Sequence, residues 1–117
     1  MAAGTARCDT SPAWLSWIGA RAAIELMAQL PAAAVERHCL TLAETFREGA
    51  RSAGAGPAGV GRPSHIVAVQ APDPEAVRDR LRAGRVHAQV LGDRLRVGFH
   101  YFNNDDDVTA VLRALAI

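Results

Sequence analysis

Between Gly54 and Pro63 the chain reads GAGPAGVGRP, and no regular helix or central strand accommodates that density of glycine and proline. The stretch separates two hydrophobic patterns. Before it, apolar residues recur at helical spacing; after it, "HIVAVQ" (His65–Gln70) alternates and is rich in β-branched residues, the signature of a half-buried strand. Helices therefore come first and a small sheet follows.

In the first half, Thr10-Ser11-Pro12 supplies a capping hydroxyl and a proline suited to a first helical turn. Residues 1–9 read as a lead-in. Trp14, Leu15, Ile18, Ala22 and Leu26 form a stripe that Ile24 and Met27 widen, predicting a helix over 12–29. Arg21 and Glu25 are its only charges, so this helix calls for cover on more than one side. Pro31 restarts the chain. A second helix over 32–52 turns Val35, Cys39, Leu42 and Phe46 inward, with Glu36, Arg37, Glu44, Arg47, Glu48 and Arg51 as its wet side.

Beyond the strand, "APDPEAVRDRLRAG" predicts a helix from Pro74 to Ala83 stopped by Gly84. "RVHAQVL" and "RLRVGF" flank Gly92-Asp93 as a β-hairpin. A closing helix runs from Asp105 to Leu115. The order α-α-β-α-β-β-α defines an α+β fold, with helices layered against a small sheet. The ten glycine- and proline-rich residues themselves read as a flexible connection, since their glycines follow a helix and are spaced too loosely for a phosphate cradle.

Composition excludes chemistry more sharply than it suggests any. All 13 basic residues are arginine. Without a lysine, these residues can neither form a Schiff base nor complete a Walker-type phosphate loop. A formal charge of +1 gives no basis for steering to nucleic acid or to an anionic membrane. Cys8 and Cys39 form no CxxC and no disulfide-dense pattern, which points to a reduced, cytoplasmic setting. The apolar run after Trp14 is broken by Gly19, Arg21 and Glu25, so neither a secretory signal nor a membrane span is expected there.

Chemistry-bearing residues concentrate in "LRVGFHYFNNDDDVTAVLRAL" (Leu95–Leu115). Asn103 or Asn104 suits the cap of the last helix, and Asp105, Asp106 and Asp107 complement the positive end of its dipole. Consecutive first-turn carboxylates fan about 100° apart around the axis, so they converge poorly on a metal ion. Arg94, Arg96 and Gly98 share one face of the strand. Arg96 is either a solvated arginine or a fork presented to a carboxylate. His38, His65, His87 and His100 make no HxxxH or HExxH pattern, and no metal site is expected. His100, beside Tyr101, either contacts a ligand or packs within its loop. Ser64 lacks a GxSxG elbow. No catalytic residue emerges.

The same tail resembles the C-terminal signature of the class V aminotransferase-fold enzymes, which use pyridoxal phosphate. Leu95-Arg96-Val97-Gly98 takes the place of the family's strand, Phe99–Asn104 that of its aromatic turn, and Asp105–Val108 that of the start of its final helix. Upstream, Thr10–Met27, the helix from Ala32 and the segment from His65 to Val90 are similar to family segments in the same order. The likeness extends over residues 10–117 and lies nearest the isopenicillin-N epimerase, kynureninase, cysteine desulfurase and selenocysteine-lyase-like branches. It implies that residues 1–30 correspond to the end of a large domain and 31–117 to the C-terminal small domain.

The family's cofactor lysine, pyridine-facing aspartate and ring-stacking residue belong to a large domain these residues do not match. The resemblance thus implies a C-terminal part or subunit, inactive alone, that acquires pyridoxal phosphate only with a large-domain partner. Arg96 falls on the strand arginine that grips the substrate α-carboxylate. Thr10 falls on the threonine that reaches the cofactor phosphate of a neighbouring subunit, although Asp9 replaces the preceding glycine and Ser11 intervenes before Pro12. Leu91 stands where some branches carry a further arginine. The competing expectation is a non-enzymatic α+β interaction or regulatory module. Either way the partner, a large-domain protein or a second copy, would meet the apolar helix over 12–29.

Overall fold

The computed structural model of the chain describes residues 13–59 and 61–115. They comprise α1 (Trp14–Met27), α2 (Ala32–Ser52), β1 (Ile66–Gln70), α3 (Pro74–Ala83), β2 (Gln89–Leu91), β3 (Arg94–Gly98) and α4 (Asp105–Leu115). The fold is mixed α+β, with four helices and a three-stranded antiparallel sheet of order β1-β3-β2. Two units divide between Pro31 and Ala32.

In the first unit, α1 is shorter than the helix expected over 12–29. The capping signal Thr10-Ser11-Pro12 lies outside the described residues, and the N-cap position is Ala13, whose side chain can cap nothing. No residue of α1 is buried. Trp14, Leu15, Trp17, Ile18, Ile24, Leu26 and Met27 are all exposed. Its two charges satisfy each other, Arg21 Nε donating to Glu25 Oε1 at 2.8 Å. No single helix among the described residues is long and apolar enough to cross a membrane.

The second unit holds the core. Antiparallel register sets Val67 opposite Val97 and Val69 opposite Leu95. The two-residue period sends all four side chains to one side, where α2, α3 and α4 cover them. Phe46 of α2 and Phe99 are fully buried in this layer, with ring centroids 5.8 Å apart and planes inclined at 54°. Leu81, Val108, Val111 and Leu115 complete the helical contribution. Leu112 of α4 packs over Gly49 of α2, where a Cβ would lie 2.5 Å from Leu112 Cδ1.

Two helix ends use one device. After α2, Ala55 N–H donates to the Ala50 carbonyl and Gly54 N–H to that of Arg51, with Gly54 left-handed at φ 77°. After α3, Val86 N–H donates to the Leu81 carbonyl and Arg85 N–H to that of Arg82. Both are Schellman closures. The helix stops at Gly84 as expected, but Gly84 stays right-handed at φ −79° and Arg85 takes the left-handed position at φ 53°. Gly84 contributes space instead, since a Cβ there would sit 3.2 Å from the Arg80 carbonyl oxygen. This closure occupies Arg85 and Val86, and β2 starts only at Gln89 rather than with Arg85 as the alternating pattern suggested.

The hairpin turns through Gly92-Asp93 between the paired residues Leu91 and Arg94. Gly92, at φ 58°, is the first central residue, the place glycine takes in a II′ turn. The connection between α2 and β1 is less free than its composition implied. Ala58 N–H donates to the Ala68 carbonyl at 3.0 Å, and Gln70 N–H to the Gly56 carbonyl at 2.9 Å. Residues 56–58 thus cover the outer edge of β1, satisfying backbone groups that an edge strand leaves open.

Candidate functional site

The side of the sheet away from the helices carries no covering element among the residues of the second unit. The pleat that buries Leu95 and Val97 exposes Arg94, Arg96 and Gly98. Arg96 pairs with Ala68 on one side and Gln89 on the other. The methyl of Ala68 and the bare Cα of Gly98, two residues along the same face, leave space around the guanidinium. Arg96 makes no hydrogen bond or ion pair with any described residue. Arg94 approaches Asp93 at 3.8 Å. Ile66 and Leu91 give the face an apolar margin. An unpaired planar fork among small and amide side chains is suited to a carboxylate held bidentately.

The turn after β3 is organised by asparagine. His100 N–H donates to Asn103 Oδ1 at 2.9 Å, and Asn103 N–H donates back to the His100 carbonyl at 3.0 Å. His100 stacks on Phe102 and meets His65 edge-on, so its ring is occupied in loop packing. His38 Nε2 donates to the Asn103 carbonyl at 2.8 Å and fastens the turn to α2.

Asn104 then caps α4. Its Oδ1 accepts from the N–H groups of Asp106 and Asp107, while Asp107 Oδ2 accepts from Asn104 N–H at 3.0 Å. The pair forms a capping box with aspartate in the glutamate position. Asn103 Nδ2 donates to the same Asp107 oxygen. The Asn-Asn-Asp-Asp-Asp run is therefore a helix-start device. Among the described residues, no three His, Cys, Asp or Glu side chains cluster as metal ligands.

Two clefts flank the sheet, and Arg96 lines neither. One, of about 510 Å³, includes His87, His100, Phe102 and Asp107. The other, of about 560 Å³, lies between α2 and the loop before β1 and gathers Arg47, Arg51 and Arg62. The sequence placed Arg47 on the wet side of α2. In the structure its side chain is only 22% exposed, held by Glu44 and by the Ser64 carbonyl. The arginine spacing along α2 was a usable signal, but the contribution of the loop was not legible.

Pyridoxal phosphate can be tested against this donor set. An anchoring amine is missing, since no lysine occurs in the chain. The open face around Arg96 carries alanine, glutamine, isoleucine, leucine, glycine and arginine, with no carboxylate on its strands to meet a pyridine nitrogen. Thr10, the one expected phosphate contact, lies outside the described residues. These residues do not fit the cofactor by themselves. Comparison of the chain with protein families, with curated proteins and with solved structures finds no match.

Proposed function

We propose that this chain acts as the small-domain part of a pyridoxal-phosphate enzyme resembling the class V aminotransferases, with Arg96 gripping the carboxylate of an amino-acid substrate. The cofactor and its lysine come from a large-domain partner. The observation that carries the reading is Arg96 itself: an unpaired guanidinium between Ala68 and Gln89, on a sheet face that nothing in its unit covers. A solvated arginine costs nothing there, but a sheet normally buries or polarises both faces, and Ile66 and Leu91 leave this one partly apolar.

The test is co-expression with any lysine-bearing large-domain protein found encoded beside it. The pair is expected to retain pyridoxal phosphate and change its absorption when an amino acid is added; the chain alone does neither. Arg96→Gln in the pair should weaken amino-acid binding by about 30-fold or more, the cost of removing one partner of a buried charge pair. Turnover of an amino acid by the chain alone with pyridoxal phosphate would sink the reading, as would unchanged affinity in the variant.

Helix α1 favours a second reading, a non-enzymatic module associating through that helix. An exposed helix that is apolar on every side requires cover whatever its partner does. A stable α1 partner that contains no cofactor lysine would select this reading over the first.

A further inference from the structure

We propose that the cleft between α2 and the loop preceding β1 is an anion site that takes the carboxylate or phosphate group of a small ligand. Three arginines, Arg47, Arg51 and Arg62, line it with a single acidic residue, Glu44. In a concave space of about 560 Å³, within the size range of small-molecule sites, that imbalance leaves a net positive field.

Arg47 is already oriented. Its Nη1 donates to Glu44 Oε2 and its Nη2 to the Ser64 carbonyl, both at 2.8 Å, leaving the rest of its donor fork available. Arg51 lies 3.7 Å from Glu44 Oε1, an attraction beyond hydrogen-bond reach, so its donors are not committed. Arg62 makes no hydrogen bond or ion pair with a described residue. Opposite them, Gly59 and Gly61 present backbone without side chains, and a Cβ on either would meet nothing within 4 Å. Gly59 follows directly on Gly56 and Ala58, whose backbone groups pair with β1. The oxygens of a carboxylate or phosphate can thus reach charged forks on one side and bare backbone on the other.

Glu44 opposes the ligand, which gives the test a sign. Inorganic phosphate and, separately, acetate are titrated into the full chain while backbone amide and arginine Nε resonances are followed. Saturable shifts at Gly59, Gly61 and the Nε of Arg47 and Arg51 are expected. Saturation by phosphate alone identifies a phosphate site, and saturation by both a general carboxylate and phosphate site. The Arg51→Gln/Arg62→Gln pair should bind about tenfold more weakly or worse, with the remaining resonances unmoved. Glu44→Gln, which keeps an acceptor for Arg47, should bind more tightly, a result no purely structural role of these arginines produces. The proposal is overturned if neither anion saturates, or if the folded double variant binds as well as the parent. Arg96 does not line the cleft, and Arg96→Gln leaves the titration intact, so this outcome is separable from the proposed function.

Discussion

Asn104 and Asp107 cap each other: the amide oxygen of one accepts from the backbone of the other, and the carboxylate returns the bond. This closes the first turn of α4 and sets where the chain leaves the aromatic turn that follows Arg96. Asn104→Ala should destabilise the protein by about 1 kcal/mol, and Asn104→Ser should recover most of that loss in chemical denaturation. A cost near zero would mean that water caps the helix equally well.

Gly54 and Arg85 hold equivalent positions in two Schellman closures, yet only one is glycine. A left-handed conformation costs an L-residue about 1–2 kcal/mol, partly offset because glycine is freer in the unfolded chain. Arg85→Gly is therefore expected to stabilise the fold by about 0.5–1 kcal/mol, read as a raised denaturation midpoint with unchanged slope.

The Phe46–Phe99 contact joins α2 to the end of β3, and neither ring reaches solvent. Phe46→Ala should cost about 3–5 kcal/mol, a large part of the stability of a domain this size. Leucine at the same position should retain more of it. Broadened amide resonances across the second unit would reveal the loss.

Arg96→Gln should leave the unfolding free energy within about 0.5 kcal/mol of the parent's, as for surface substitutions that break no contact. A large loss of stability would instead mark Arg96 as part of the framework and weaken its assignment to a ligand.

The chain's two tryptophans, Trp14 and Trp17, both lie on α1 and are 72% and 67% exposed. Emission from the dilute chain should be that of indole in water, shifting to shorter wavelength when a partner covers the helix. Ile18→Glu with Ile24→Glu should abolish any concentration-dependent sedimentation. Persistence of association in that variant would place the contact elsewhere.

The bounds of α2, α3 and α4 and the Gly92-Asp93 hairpin were legible because each rests on spacing and punctuation within a few neighbouring positions. Arg96's face followed from strand alternation in the same way. What surrounds it did not, because Ala68 and Gln89 reach it only through the strand order β1-β3-β2, which local periodicity does not encode. The pinning of residues 56–58 to β1 and the capture of Arg47 by the Ser64 carbonyl were hidden for the same reason. Left-handed Arg85 was missed because the glycine beside it offered the more familiar stop.

The strict alternation of β3 makes its interior and its chemistry two halves of one phase. Removing a single residue upstream of Arg96 would drive that guanidinium into oil and turn Leu95 out to water, an inversion no side-chain rearrangement could repair. Point changes on the bare side, by contrast, leave the phase untouched, so that side is free to drift while the hidden side stays the same.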